Sequence, residues 1–363
     1  MSSIASVDRA SRELAATFGG QLLKPADAGY EEARKVHNGL IDKRPALIAR
    51  CRGVADVVDA VNLTRGLGLE VAVRGGGHNV AGRATTNGGV MIDLSPMKGI
   101  HIDAKNGVAR AQAGVTWAEF NRETQLHGLA VTGGVVSSTG IAGLTLGGGL
   151  GWLMGKYGLA LDNLSAVELV TADGRVLQAS QDEAPDLFWA VRGGGGNFGV
   201  VTSFEYQLHA VGPLITAGPI VHTIDCARDL LEFYRDKTRS LADEHTLFAT
   251  LTHAPDGSGL DVAALVTCHC GLQDEAERAT RPLKEFGSPI LDAVGPMPYW
   301  PAQQHARRQL SQGRSQLLEV ELPDGAQRRC DQHHDRLFCQ LSHAHGPVAS
   351  RAHPRSGDPC RKR

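Results

Sequence analysis

The 363-residue sequence predicts an α/β protein in which strands and helices alternate along the chain. Residues 44–51 (RPALIARC) read as a short apolar strand after a proline. Residues 54–66 (VADVVDAVNLTRG) place apolar side chains at helical spacing and stop at a glycine, and residues 69–74 (LEVAVR) are again strand-like. This β-α-β order is typical of helices packed against a sheet.

Later segments of the first half repeat these patterns. In chain order they predict two strands (88–94 and 108–114), a helix (116–128), a hairpin (165–180), and a helix, glycine turn and strand (186–209). Thr116 is the candidate N-cap of the helix, because its hydroxyl can accept from a free backbone N–H of the first turn. Asp173-Gly174 supplies the turn of the hairpin.

A second unit is expected after Gly212-Pro213, since a chain of this length corresponds to about two domains. The predicted elements are a strand (214–224), a helix (226–242), a strand (261–271) and a helix (274–287). They indicate a second domain built from both strands and helices.

Composition excludes several classes of function. A net charge of −2 gives no electrostatic case for binding nucleic acid or an anionic membrane. No apolar run approaches the roughly 20 residues that span a bilayer, and the first twenty residues lack the pattern of a signal peptide. Seven irregularly spaced cysteines favour a reduced, cytoplasmic protein.

The chain changes character at about Trp300. Residues 301–363 hold 6 of the 15 histidines and 3 of the 7 cysteines, with few branched aliphatic side chains. The spacing of these residues matches no standard zinc finger, so no metal site is predicted, although zinc stays an alternative. We interpret the segment as an aberrant tail, from a shifted reading frame or of unusual natural origin, that stays outside the fold.

The most informative stretch is Val71–Gly82, VAVRGGGHNVAG, in which a strand runs into three glycines followed by His78 and Asn79. Glycines let backbone N–H groups approach an anion such as a diphosphate with no side chain in the way. A neutral imidazole beside that loop is a nucleophile near pH 7. The segment therefore predicts a phosphate-bearing cofactor next to a reactive histidine.

Two further glycine clusters, at 143–151 and 193–199, suggest three loops that converge on one extended ligand. Gly194, Gly196 and Gly199 match GxGxxG, but a strand-like segment follows where the dinucleotide fingerprint needs a helix. A nicotinamide dehydrogenase is thereby disfavoured. Lys156 is followed by Tyr157 rather than Ser or Thr, so the segment is not a P-loop either.

Taken together, RPALIARC, VAVRGGGHNVAG, GGVMIDLSPMKGIHID, TGIAGLTLGGGLGWLMGKYGLALDNL and DLFWAVRGGGGNFGVVTSFEYQLH resemble the flavin-linked oxidases with a p-cresol methylhydroxylase-type FAD-binding domain. Within them the chain is similar to the berberine bridge enzyme-like and 6-hydroxy-D-nicotine oxidase-like bacterial branch, over about residues 30–300. The resemblance implies an α+β fold, with a two-subdomain FAD-binding domain at 1–211. An incomplete substrate domain of antiparallel sheet and helices follows at 212–300, because the family's closing segment is not found in 301–363.

In that family the histidine of RGGGH is bonded covalently to FAD, and His78 stands at that position. The resemblance implies that the residues around the cofactor are Arg74, Gly75, Gly76, Gly77, His78, Asn79, Ser137, Ser138, Thr139, Gly140, Gly143, Gly147, Gly148, Asn197, Val200 and Val201. Many relatives add a cysteinyl link where this chain has Val136, so one link is expected.

The resemblance also implies a reaction. Tyr157 matches a tyrosine that lines the substrate face in several members and is the candidate catalytic residue; a core or interface tyrosine is the alternative. A small-molecule alcohol or amine would transfer hydride from a C–H bond to the flavin, and O2 would reoxidise it. A flavin-binding protein without catalysis stays an alternative, because the substrate domain is expected to be incomplete.

Overall fold

The computed structural model describes residues 2–254 and 257–300. Its helices are α1 (Ser2–Leu14), α2 (Tyr30–Ala33), α3 (Val54–Leu67), α4 (Trp117–Thr124), α5 (Ile141–Leu146), α6 (Met154–Tyr157), α7 (Pro185–Gly194), α8 (Ala227–Thr238) and α9 (Gln273–Lys284). Its strands are β1 (Gln21–Leu23), β2 (Leu47–Arg50), β3 (Val71–Arg74), β4 (Val90–Asp93), β5 (Ile100–Asp103), β6 (Val108–Gln112), β7 (Leu129–Ala130), β8 (Leu164–Val170), β9 (Val176–Ser180), β10 (Val200–Gln207), β11 (His209–Ala210), β12 (Leu214–Thr223), β13 (His245–His253), β14 (Asp261–His269), β15 (Leu291–Asp292) and β16 (Gly295–Pro298).

Two sheets carry most of the first 211 residues. In the first, of order β1-β2-β4-β3, the strands β2, β4 and β3 run parallel, and α3 supplies the crossover from β2 to β3. The second, of order β5-β6-β10-β8-β9, is antiparallel throughout. The β-α-β pattern therefore describes the first sheet only, and the α+β class is confirmed.

The largest core contains residues of both sheets and of helices α3, α4, α5 and α7. Four fully buried aromatic rings lie in it: Trp117 meets Phe120 edge-on at a centroid separation of 5.5 Å, Tyr206 lies beside them, and Phe204 stacks on Tyr206. Trp117 is the first residue of α4, and Thr116 is its N-cap as the sequence predicts; the structure adds a capping box that joins Thr116 to Glu119. Aromatic burial and the cap together fix the start of α4, against which the candidate site is built.

A third sheet follows residue 211, with order β13-β14-β12-β15, and β16 also pairs with β12. All its pairs are antiparallel. The amphipathic helices α8 and α9 cover one face, through apolar residues that include Leu230 and Leu283. The residues of the other face, such as Ile215 and Cys268, pack with Trp152 and Leu153 of the first half of the chain.

Most predicted elements are found, with shifted ends. The helix predicted over 116–128 stops at Thr124 and continues as a 3-10 turn, Gln125–His127. Sequence reasoning missed the helices α1, α2, α5 and α6 and the strands β1, β5, β7, β13, β15 and β16. Within the described residues no helix is both long and apolar enough to cross a bilayer. The predictions for residues 301–363, including the zinc alternative, lie outside the described residues.

Candidate cofactor site

The three glycines after β3 lie tightly against the rest of the site. Gly77 has a φ of 71°, in the left-handed region that favours glycine. A Cβ on Gly75 would lie 3.0 Å from the carbonyl oxygen of Ala113. A Cβ on Gly76 would lie 2.3 Å from the backbone nitrogen of Gly140, closer than real atoms come. Gly76 is therefore required for contact with the second loop, and not only for approach of a ligand.

That second loop, residues 137–140, is fixed by the first turn of α4. The backbone N–H of Ala118 donates to the Ser137 carbonyl at 2.8 Å, and the N–H of Trp117 donates to the Thr139 carbonyl at 3.0 Å. The first N–H groups of a helix have no partner within the helix, so the loop satisfies them. Backbone bonds thus hold the loop where Gly76 meets it.

His78 lies between the two loops. Its Nε2 is 3.0 Å from the Ser138 hydroxyl, and its Nδ1 is 3.4 Å from the Thr139 hydroxyl. A neutral imidazole has one donor and one acceptor nitrogen, and a hydroxyl can match either. The half-buried ring is therefore held by its edge at the junction of the two loops.

The three glycine clusters lie next to one another. Helix α5, which carries Gly143, packs against α7 and the 3-10 turn Gly195–Phe198. A Cβ on Gly148 or on Gly193 would come about equally close to the same Leu161 methyl carbon, at 4.0 and 3.9 Å. The glycine-rich segments thus form one continuous region, as the sequence predicts.

The residues of this region fit a diphosphate-bearing cofactor. Gly143 and Gly196 are exposed, and a Cβ on either would meet nothing within 4 Å, so backbone lines an open surface. Ser137 is fully buried, and its Oγ has no hydrogen-bond partner among the described residues. Open glycine backbone suits an anion, and a buried hydroxyl without a partner is a donor available to a ligand.

The side chain of Arg74 is engaged elsewhere. Its guanidinium donates to both oxygens of Asp93, at 3.0 and 3.2 Å, and to the carbonyls of Ala33 and Lys35, at 2.7 and 2.9 Å. Asp93 is fully buried. Any contribution of the Arg74 side chain to cofactor binding is therefore indirect.

Other predicted site residues have local partners. The Oδ1 of Asn79 accepts from the backbone N–H of Arg83 at 3.0 Å, and the Nδ2 of Asn197 donates to the Gly194 carbonyl at 2.7 Å. Val200 and Val201 are buried at the start of β10, so only their backbone groups are suited to bind a polar ligand. The glycines at 194–199 are preceded by helix α7 and followed by this strand, the reverse of a dinucleotide fingerprint.

Tyr157 lies where the first half of the chain meets the third sheet. Its hydroxyl donates to the Ala210 carbonyl at 3.3 Å, and its ring stacks on His209 with a centroid separation of 4.1 Å. Burial raises the pKa of the Tyr157 hydroxyl. The group is thus protonated at neutral pH and is a hydrogen-bond donor rather than a base.

Sequence reasoning missed two histidines beside the predicted residues. His209 lies 2.6 Å through Nε2 from the Oδ1 of Asn163, an acceptor, so this nitrogen carries the proton, and burial lowers the pKa of the ring. His37 stacks on His78. Each stands alone in its stretch of sequence, without a motif that would mark it. The described residues contain no group of three His, Cys, Asp or Glu suited to hold a metal ion.

Comparison with known proteins agrees with this geometry. Residues 45–180 match a family model described as an FAD binding domain. The chain is 38% identical to (R)-6-hydroxynicotine oxidase of Paenarthrobacter nicotinovorans over 282 residues. The matched region covers 77% of this chain and 61% of that protein. It is 30% identical over 255 residues to an FAD-linked oxidoreductase of Dictyostelium discoideum, covering 70% of this chain and 55% of that one.

Solved structures show the same fold. The crystal structure of 6-hydroxy-D-nicotine oxidase from Arthrobacter nicotinovorans superposes with a TM-score of 0.75 at 36% identity, covering 80% of this chain and 64% of that one. A berberine bridge enzyme-like protein of Physcomitrella patens has a TM-score of 0.72 at 23% identity, covering 79% and 62%, which supports the fold alone. The chain thus spans less than two thirds of the length of these relatives.

Proposed function

Because residues 45–180 match the model of an FAD binding domain, we propose that this chain is an FAD-linked oxidoreductase whose FAD-binding domain is of the p-cresol methylhydroxylase type. Its substrate is a small-molecule alcohol or amine, and O2 is the reoxidant. The observation that carries the proposal is the position of His78 between two loops whose backbones touch at Gly76 and Gly140. The relatives named oxidases or FAD-linked oxidoreductases support it.

Bound FAD supplies the redox chemistry, accepting a hydride from a substrate carbon and passing the electrons to O2. The chain supplies binding and orientation. Exposed backbone at Gly143 and Gly147 would border the diphosphate, and the hydroxyl of Ser137 would be a donor to the cofactor. Ser138 and Thr139 hold the imidazole of His78 by its edge, which orients a ring nitrogen for a single covalent link to the flavin.

Tyr157 belongs to the substrate side of the proposal. As a protonated phenol it orients a polar group of the substrate by donating a hydrogen bond, in place of its bond to the Ala210 carbonyl. We also propose that the FAD-binding domain comprises residues 1–211 and that the substrate domain begins at residue 212, just before the third sheet. The face of that sheet around Ile215 and Cys268 then borders the substrate space.

The experiment uses the full chain. Purified protein should absorb near 370 and 450 nm (about the usual flavin maxima), and the yellow colour should stay with the pellet after acid precipitation. Tryptic mapping should place a mass of about 783 Da on the His78 peptide, which is FAD less two hydrogens. His78→Ala should abolish attachment, and His101→Ala, at an exposed histidine of β5, should retain it. Release of all flavin into the supernatant would contradict the covalent link.

Turnover is tested separately, by O2 consumption with a panel of secondary alcohols and cyclic amines. Tyr157→Phe removes one hydroxyl and should lower kcat or raise KM with the melting temperature preserved. Bound flavin with no O2 uptake on any substrate favours the alternative, a flavin-binding protein without catalysis. The absence of flavin from protein loaded with FAD would overturn both functions.

A further inference from the structure

A segment near the N-terminus forms one side of the candidate site. We call residues 33–43 the N-terminal wall. The Nδ2 of Asn38 donates to the carbonyl of Val80 at 2.8 Å, and the ammonium of Lys43 donates to the carbonyls of Gly82 and Thr85 at 2.9 and 3.3 Å. The wall therefore follows the loop after His78 along much of its length.

The wall is anchored in the core of the first sheet. The buried carboxylate of Asp93 fixes the orientation of the Arg74 guanidinium, because the two groups pair through two parallel hydrogen bonds. The same guanidinium donates to the wall carbonyls of Ala33 and Lys35. A rigid connection therefore runs from the buried Asp93 to the residues just before His37.

His37 is the point where the wall meets the reactive histidine. Its backbone N–H donates to the carbonyl of Gly77 at 2.9 Å. Its imidazole stacks on that of His78 with ring centroids 4.0 Å apart and an interplanar angle of 12°. His37 itself is exposed, so its ring covers one face of His78 toward solvent.

These contacts restrain His78 in two directions. The hydroxyls of Ser138 and Thr139 hold the ring by its edge, and one of these contacts is long. Rotation about the Cβ–Cγ bond, which is otherwise broad for histidine, would drive the ring edge into the stacked imidazole. Parallel stacking offers no N–H···N bond, so it fixes orientation and does not relay a proton.

We propose that His37 is a positioning residue for covalent attachment of FAD, holding the plane of the His78 ring toward the 8α carbon of the flavin. This rests on the proposed covalent site. In attachment a C–H bond at C8α breaks, a bond from a His78 ring nitrogen to that carbon forms, and both hydrogens leave as protons. The two electrons released pass through the flavin to O2, which becomes hydrogen peroxide. His37 takes no part in the bond changes.

The test measures attachment itself. Apoprotein from riboflavin-starved cells is mixed with FAD, and the flavin fluorescence of the acid pellet is followed with time. His37→Ala should slow attachment by about fivefold, which corresponds to about 1 kcal/mol, a typical contribution of an aromatic pair. His37→Phe keeps a stacking ring without ring nitrogens and should stay close to the wild-type rate. Attachment at the wild-type rate in His37→Ala would overturn the proposal, and so would a His37→Phe variant as slow as His37→Ala.

A second comparison separates positioning from general damage to the site. In the His78→Ala background no link can form, and reversible FAD affinity is measured with and without His37→Ala. Equal affinities are expected, and weaker affinity in the double variant would overturn a role confined to His78. If the wild-type protein binds FAD only reversibly, both the covalent site and the role of His37 are overturned. If the wild type attaches FAD and His37→Ala attaches it at the same rate, only the role of His37 is overturned.

Discussion

Gly76 and Gly140 meet backbone to backbone, in a contact that admits no side chain on either residue. A Cβ on Gly76 would lie 2.3 Å from the nitrogen of Gly140, and one on Gly140 would lie 2.4 Å from the nitrogen of Gly76. This contact brings His78 within hydrogen-bond reach of Ser138. The loop geometry therefore depends on two glycines 64 positions apart.

Gly76→Ala should separate the two loops. The clash is with the backbone of Gly140, whose neighbours Thr139 and Ile141 are held by backbone hydrogen bonds, so the chain there has to shift at a cost of about 1–3 kcal/mol. We expect a lower free energy of unfolding in urea for the apoprotein. Loss of covalent flavin should accompany it, because His78 moves away from Ser138.

Gly143→Ala is the matched control. Gly143 lies in helix α5, and a Cβ there meets nothing within 4 Å. Alanine is the better helix former by up to about 1 kcal/mol, so the apoprotein should be as stable as wild type or more stable. A Gly76→Ala variant that unfolds at the same urea concentration as Gly143→Ala would show that the backbone contact is not required.

Asp93→Asn should destabilise the first sheet and release the N-terminal wall. The buried carboxylate accepts from Arg50 and Arg74, and neutralising it leaves two guanidinium groups without their counter-charge, at a cost of about 3 kcal/mol. Asp42→Asn is the control, because Asp42 pairs with Arg34 at an exposed position and such pairs contribute at most about 1 kcal/mol. Equal melting temperatures for the two variants would contradict this account of Asp93.

The elements predicted correctly are those whose own residues carry the signal, such as apolar spacing, a helix cap or alternating side chains. Helix α3 is predicted from apolar spacing that ends at a glycine, and the start of α4 is predicted from Thr116 as candidate N-cap. Strand β10 follows from strict alternation after the last glycine cluster. Strand β13 was missed because its sequence, HTLFATLTH, mixes histidine and threonine into a strand whose burial comes from α8 and β14.

The part of the site that could not be predicted depends on contacts between distant residues. The sequence marks Arg74 as part of the RGGGH motif, but nothing local shows that Asp93 and the carbonyl of Lys35 engage its guanidinium. The stacking of His37 on His78 likewise arises only when the N-terminal wall folds over the loop. The motif identifies His78 as the candidate for the reactive histidine, and only the tertiary structure reveals that His37 stacks on its ring.

A single flavin link is expected. The family resemblance implies that Val136 stands where many relatives have a cysteine, and a valine side chain cannot form a thioether. Mass mapping of tryptic and peptic digests should find flavin on the His78 peptide alone, with the four described cysteines as free thiols. Val136→Cys should permit a second link to flavin, because Val136 lies directly before the loop that holds His78. A cysteinyl-flavin peptide from the unmodified chain would contradict the prediction.

Buried histidines of the third sheet should make the protein less stable in mild acid. His245 is 5% exposed, its Nε2 lies 2.6 Å from the hydroxyl of Thr267, and His269 lies beside it. Burial, aided by the charge of His269, lowers the pKa of His245 from 6.5 to about 4. Burial also lowers the pKa of His269 and of His222.

The sign follows from proton binding in the two states. Between pH 6.5 and about 4 the unfolded chain binds a proton at His245 that the folded chain does not, so stability falls as pH falls through this window. The contribution of His245 is about 3 kcal/mol over the whole window. Urea unfolding at pH 7.5, 6.0 and 5.0 should show the decline, and His245→Asn should reduce its slope without abolishing it, because His222 and His269 remain. His127→Asn, at an exposed histidine, should keep the wild-type slope, and an unchanged slope in His245→Asn would show that His245 is not a source of the acid sensitivity.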